Sequence, residues 1–122
     1  MQMRLVAIAV AAMLPIQVLA ADFSAPITDL DGTVLDDGSP AKKPFTLGEA
    51  AVRALVASFP DEQNVSPNEK FKRAELASRI HNKSDLVLNA EETALVKNLI
   101  GKAFAPIIVF RTWPMLDPAV KP

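Results

Sequence analysis

No cysteine occurs anywhere in the 122 residues. That one absence excludes disulfides, thiolate zinc sites, a cysteine nucleophile and a lipid anchor through an N-terminal cysteine. Histidine is nearly as scarce. His81 stands alone, so a metal site built from several imidazoles of one chain is excluded as well. There is no excess of positive charge either: 13 basic residues face 14 acidic ones, for a net charge of −1. Such a balance leaves no electrostatic footprint for nucleic acid. Internal repeats and low-complexity tracts are also missing. What remains is 50% apolar and 22% charged, the balance of a globular chain of one domain.

The first segment is the most informative. In "MQMRLVAIAVAAMLPIQVLAADFS", Arg4 gives a short positive start, and Leu5 to Ala21 then runs 17 residues without a charge. Val18-Leu19-Ala20 puts modest side chains where a signal peptidase must approach the backbone. This three-part layout predicts a secretory signal peptide over residues 1–20, cut before Ala21. A retained membrane anchor fits less well, because a spanning helix takes about 20 apolar residues and Pro15 and Gln17 interrupt this run. A start codon placed upstream of the true one is the other alternative. After cleavage the chain would carry 12 basic and 14 acidic residues, a net of −2, over residues 21–122. That length suffices for one modest core without a metal or disulfide. The expected location is periplasmic or secreted, with membrane contact only through the signal peptide, or cytoplasmic if the start is misplaced.

Along residues 21–122 the pattern predicts a small α+β domain, mainly helical. "PITDLDGTVLDDG" sets Ile27, Leu30, Val34 and Leu35 around Asp31-Gly32. An Asp-Gly pair between apolar runs signals a two-residue hairpin with positive φ at both central positions. Strands are expected at about 26–30 and 33–36, followed by a polar linker, "DDGSPAKKP". Three helix starts carry capping chemistry: Thr46 with Glu49, Ser66 with Glu69 behind Pro67, and Asn89 with Glu92. In each, a side-chain oxygen takes up an orphan backbone N–H and the glutamate answers back. The helices are expected at about 47–58, 67–81 and 90–104. Their apolar stripes are Leu47, Ala51, Ala54, Leu55 and Phe59; then Phe71, Ala74, Leu76, Ala77 and Ile80; then Leu95, Val96, Leu99, Ile100 and Ala103. Each stripe has the spacing of one buried helix face. "SDLVL" is a short extended segment that would join the hairpin. Residues 106–113 read as a fourth helix opened by Pro106 and stopped by Pro114, or as a buried strand through Ile107-Ile108-Val109-Phe110. Helix is preferred, with Trp113 packed on the core.

The chemistry suggested by the motifs fails on its requirements. Asp29-Leu30-Asp31-Gly32-Thr33-Val34 resembles the first motif of haloacid-dehalogenase-like phosphatases. The resemblance implies Asp29 as nucleophile, Asp31 as acid/base and a Mg²⁺ to offset phosphate charge. Such a nucleophile ends a buried parallel strand, seen as an unbroken apolar run. Here Phe23 to Thr28 includes serine, proline and threonine. A parallel βαβ unit takes about 30 residues or more, and too little chain surrounds the motif to build a doubly wound sheet. A calcium loop starting at Asp29 would put glycine at position 4 and Pro40 at position 12, out of register with the EF-hand. Gly101-Lys102 lacks the preceding glycine of a phosphate loop, since Val96 stands there. His81 reads as a partner for the last carbonyls of its helix. Asn64 and Asn82 match the glycosylation pattern. No catalytic, cofactor or metal residues are therefore expected, and the chain reads as a non-enzymatic module that binds another protein. The hairpin tip, the Lys42-Lys43 linker and a basic face of Lys70, Lys72, Arg73 and Arg79 are its candidate contact surfaces.

"ADFSAPITDLDG", "FPDEQNVSPNEKFKRAELASRI" and "LNAEETALVKNLIGKAFAPIIV" together resemble a group of small phage- or prophage-associated bacterial proteins. The resemblance spans nearly all of residues 21–122 and is most specific in the last segment. It implies one small domain and brings no catalytic residues. It also implies an alternative role, a cytoplasmic phage accessory or assembly protein. Two features depart from the group: the signal-like first 20 residues, and Phe110, where a small residue is more usual.

Overall fold

The computed structural model describes residues 20–120. The expected signal peptide lies outside them, save for Ala20. Two short strands, β1 (Ala21–Asp22) and β2 (Asp85–Leu86), and four helices make up the regular structure. The helices are α1 (Leu47–Val56), α2 (Pro67–Ile80), α3 (Ala90–Ala103) and α4 (Pro106–Leu116). The fold is thus α+β and mainly helical.

Helix α1 sits at the centre, packed on α2 and on α3, and α3 in turn packs on α4. Its composition permits this. Ala50, Ala51 and Ala54 are fully buried beside Leu47 and Leu55, and small side chains let neighbouring helices approach closely. Leu76, Ala77 and Ile80 of α2 and Val96, Leu99 and Ile100 of α3 complete the helical core. Thr112 is the single buried polar side chain among these residues. Its hydroxyl donates to the carbonyl of Ile108 one turn back, at 2.8 Å, which satisfies it without a partner from another element.

The three capped starts are present, but only one is reciprocal. Thr46 Oγ1 accepts the Glu49 amide at 3.2 Å and Ser66 Oγ that of Glu69 at 3.1 Å. At α3, Asn89 Oδ1 accepts from Glu92 and Glu92 Oε1 accepts from Asn89. The Glu49 and Glu69 carboxylates turn forward to Arg53 and Arg73 one turn on. An arginine at i+4 competes for the oxygen that would have closed the box.

Other expectations are corrected. Helix α1 ends at Val56, not near residue 58, because Ala57 is extended on the approach to Pro60. In α2 the buried stripe continues from Ile80 and Leu76 through Arg73, so Phe71 is 68% exposed and Ala74 is exposed too. Residues 73, 76, 77 and 80 form one face, and residue 71 lies two positions away, roughly 200° around the helix. Ala103 of α3 is likewise exposed. Residues 106–116 are helical and not a strand, and Pro114 does not stop the helix. Its missing N–H deprives only the carbonyl of Phe110, an exposed residue. Burial of Leu116 and a bond from the Asp117 amide to Trp113 carry the last turn. "SDLVL" supplies β2, but β2 pairs antiparallel with β1 and not with the hairpin.

The region between β1 and α1 is the least regular part. Three segments, around residues 25–29, 33–37 and 43–47, meet through single antiparallel bridges: Thr28 with Val34, Asp36 with Pro44, and Pro26 with Thr46. Three straight strands cannot all run antiparallel to one another. The segments therefore cross steeply, and no bridge extends into a ladder. At their centre the Ile27 amide donates to Phe45, the Phe45 amide to Leu35 and the Leu35 amide to Ile27, at 2.8, 2.7 and 2.9 Å. Ile27 and Phe45 point into the core. The "DDGSPAKKP" stretch is no linker: Asp37 donates to Lys43 at 2.8 Å, so it closes a second hairpin, with Gly38 and Lys42 at positive φ.

Candidate functional site

The Asp29–Val34 stretch forms a three-residue loop. The Gly32 amide donates to Asp29 at 3.0 Å, and the Asp29 amide pairs with Thr33 at 2.8 Å. Gly32 alone takes positive φ, at 89°. The loop is thus Leu30-Asp31-Gly32, a turn followed by a left-handed glycine, and not the expected two-residue turn. Its carboxylates are engaged locally. Asp29 Oδ1 accepts the Leu30 amide at 2.7 Å, and Asp31 Oδ1 accepts both the amide and the hydroxyl of Thr33. The Thr33 hydroxyl, with its amide, holds the Asp31 carboxyl below the usual carboxylate range. Both aspartates are exposed at the protein surface. No central parallel strand lies behind them among the described residues.

The same local chemistry recurs. Asp22 binds the amide and hydroxyl of Ser24, and Asp37 binds those of Ser39. An aspartate two residues before serine or threonine closes a small side-chain turn. Three such pairs in 18 residues (22–39) explain why so many acids gather here. The sequence shows the spacing directly, and local side-chain-to-backbone bonds are the usual role of aspartates beside a hairpin turn. Ser39 lowers the Asp37 carboxyl as Thr33 lowers that of Asp31.

Arg111 of α4 fastens the tip. Its guanidinium donates to the carbonyls of Thr28 and Asp29 at 3.1 and 2.9 Å and lies 5.4 Å from the centre of the Phe110 ring. The tip is therefore held from outside, and apolar side chains at and beside it stay in solvent. Leu30 is 75% exposed, Val34 about half, and Phe110 44%. The second hairpin is fastened similarly, by Arg53, which donates to the Asp37 carbonyl at 2.8 Å and stacks over Phe45.

The expected basic face of α2 is largely neutralised. Arg73 grips Glu62 with two parallel bonds, at 2.7 and 2.8 Å, and reaches Glu69 at 3.3 Å. Lys102 joins Glu62 at 3.0 Å and Asp61 at 3.1 Å. Arg73 first, and Lys102 second, pull the Glu62 carboxyl down to about 2. Arg79 pairs with Glu92 across to α3. Among the described residues Lys70 and Lys72 form no ion pair. They flank the exposed Phe71 on α2.

Two hollows frame these surfaces. A groove of about 290 Å³ runs between the end of α1, the following loop and α2, lined by Leu55, Val56, Phe59, Val65 and Ala74 with Lys70 at its rim. A wider hollow of about 580 Å³ lies where Phe23 and Ser24 cross the start of α1, facing His81 and Lys83. There the backbone comes very close. A Cβ on Gly48 would stand 2.9 Å from the Phe23 carbonyl oxygen, to which the Gly48 amide donates at 2.8 Å. His81 is exposed at the end of α2, where its amide bonds the Ala77 carbonyl. Asn82, at φ 61°, completes the cap in the left-handed region. Trp113 is half-buried, not core, and donates to the Lys97 carbonyl at 3.0 Å. Lys97 stacks over its ring.

Compared with known proteins, the chain matches no family model, no curated protein and no solved structure.

Proposed function

We propose that this is a small exported protein that works by binding, as a non-enzymatic contact or accessory module. One observation carries the proposal. The stretch that resembles a phosphatase motif is an exposed hairpin loop whose carboxylates bond their own backbone, and it holds Leu30 out to solvent. A nucleophilic aspartate needs an aligned proton donor and a water-shielded place to act. A rigid tip with a protruding leucine instead suits contact with another protein. The layout of residues 1–20 supports export, and the partner is another protein, not nucleic acid.

Two measurements test the proposal. With Mg²⁺ and a generic phosphomonoester, wild type and Asp29→Asn should show the same absence of turnover; turnover that Asp29→Asn abolishes would overturn it. Intact-mass measurement on cell fractions should find periplasmic or secreted protein beginning at Ala21. Cytoplasmic protein alone would instead favour the accessory role implied by the phage-protein resemblance.

A further inference from the structure

We infer that the bond between Ala20 and Ala21 is cut before the domain folds, because the folded chain clamps the residues just after it, with Phe23 as the clamp. The inference rests on the proposed cut before Ala21 and goes beyond it by fixing the order of processing and folding.

The cut site and the fold share residues. Ala20 is exposed, but Ala21 is half-buried, packs against the core and faces Leu86 across the β1–β2 pair. Asp22 faces Asp85, and its side chain binds the amide and hydroxyl of Ser24 at 3.0 and 2.6 Å. Its carbonyl accepts the Ala25 amide at 3.2 Å. Phe23, the third residue after the bond, is held hardest. It is 1% exposed. Its amide donates to the Ser84 carbonyl at 2.6 Å, and its carbonyl accepts the Gly48 amide at 2.8 Å. Side chain and both backbone groups are thus committed to the domain.

A peptidase that takes its substrate as an added strand pairs with it through the main chain. To be presented in this way, Ala21 and Asp22 would have to leave β2. The slack is too short as well. At about 3.4 Å per residue, the two residues between the bond and Phe23 reach about 7 Å. That is less than the diameter of a helix, about 10 Å, and β1 lies against α4. The bond cannot clear the domain while Phe23 stays in place. In the folded chain, the rate of cutting therefore follows the small population in which Phe23 has left the core.

Gly48 ties this clamp to α1. A Cβ there would stand 2.9 Å from the Phe23 carbonyl oxygen and 3.3 Å from the Phe23 Cβ, so glycine is what lets the clamp close. An exported chain must then meet the peptidase unfolded. One that folds first stays uncut.

Purified signal peptidase in a non-ionic detergent, acting on the folded 122-residue chain, tests this, with intact mass reporting product that begins at Ala21. The comparison is a chain with about six Gly and Ser residues inserted between Ala21 and Asp22, a flexible spacer. It keeps the residues on either side of the bond and moves the bond clear of Phe23. Circular dichroism in the same detergent checks that each chain is folded. The wild type should be cut at least about tenfold more slowly than the spaced chain. Gly48→Ala, which presses on the clamp, should speed the cutting of the unspaced chain by about tenfold. Equal rates for the folded wild type and the spaced chain overturn the inference and leave export standing. A rate that Gly48→Ala leaves unchanged also overturns it, because Phe23 is then not the clamp. If neither the wild type nor the spaced chain is cut, the cut before Ala21 is itself refuted, and the inference falls with it.

Discussion

The two halves of this chain are held together in different ways. From Leu47 onward, each helix satisfies its own backbone and presents one apolar face to its neighbours. Between Ala21 and Thr46 almost nothing is self-sufficient. Single bridges, three aspartate-centred turns and two arginines reaching in from α1 and α4 hold the backbone. A helix carries its hydrogen bonds with it; a bridged loop must borrow them. The N-terminal region should therefore depend on individual residues far more sharply than the helices do.

Ile27→Ala strikes that dependence hardest. The side chain is fully buried where the three crossing segments meet the core, and removing it should cost about 2–5 kcal/mol. Urea unfolding should show the midpoint falling while the slope stays constant. Next comes Gly48→Ala. The new methyl would press on the Phe23 carbonyl, which is backbone and cannot swing aside. Alanine's better helix propensity offsets part of the clash, leaving a loss of about 1–2 kcal/mol, again read from urea midpoints. An equal or more stable variant would mean that the two halves are less tightly joined than the distances imply.

Arg111→Ala should act more locally. Freed from the guanidinium, the Thr28 and Asp29 carbonyls turn to water, at a cost of about 1 kcal/mol. Hydrogen exchange should quicken at the amides of Asp29 and Leu35 and stay unchanged in α1 and α3. Uniform quickening would show that the hairpin and the helices open together. The smallest effect concerns pH and belongs to the helical side. Glu62, held ionised by Arg73 and Lys102, has its carboxyl lowered from 4.5 to about 2. Its stabilising contribution is complete above about pH 4.5 and is lost as pH falls towards 2. In Glu62→Gln, stability should fall less steeply across that window. The same slope in both proteins would remove the ion cluster from the acid response.

The contrast also explains what the sequence made legible. Helix starts at Thr46, Ser66 and Asn89 could be read because capping depends on residues three apart. The stripes of α1 and α3 followed from periodicity, which a packed helix face imposes. Periodicity misled at Phe71, because the buried face of α2 runs through Arg73 and a long-range ion pair with Glu62 makes that arginine acceptable there. Nothing near Arg73 in the chain announces this. The Asp-Gly turn was visible, but its three-residue form and the second hairpin were not. Both depend on pairings across the chain, such as Phe45 with Ile27 and Arg111 with Asp29. Arg111 and Gly48 matter through contacts with residues 25 or more positions away, where local pattern carries no signal.

The ring of bonds through Ile27, Leu35 and Phe45 has one more consequence. Each of these amides gives to the next residue and each carbonyl takes from the one before, so at that level the circuit has no beginning and no end. Those three amides are spent inside the circuit, while the neighbouring amides of Thr28, Val34 and Asp36 take no backbone partner. The backbone is thus closed on itself at the centre of the three segments, whereas larger sheets leave no edge only by full barrel closure.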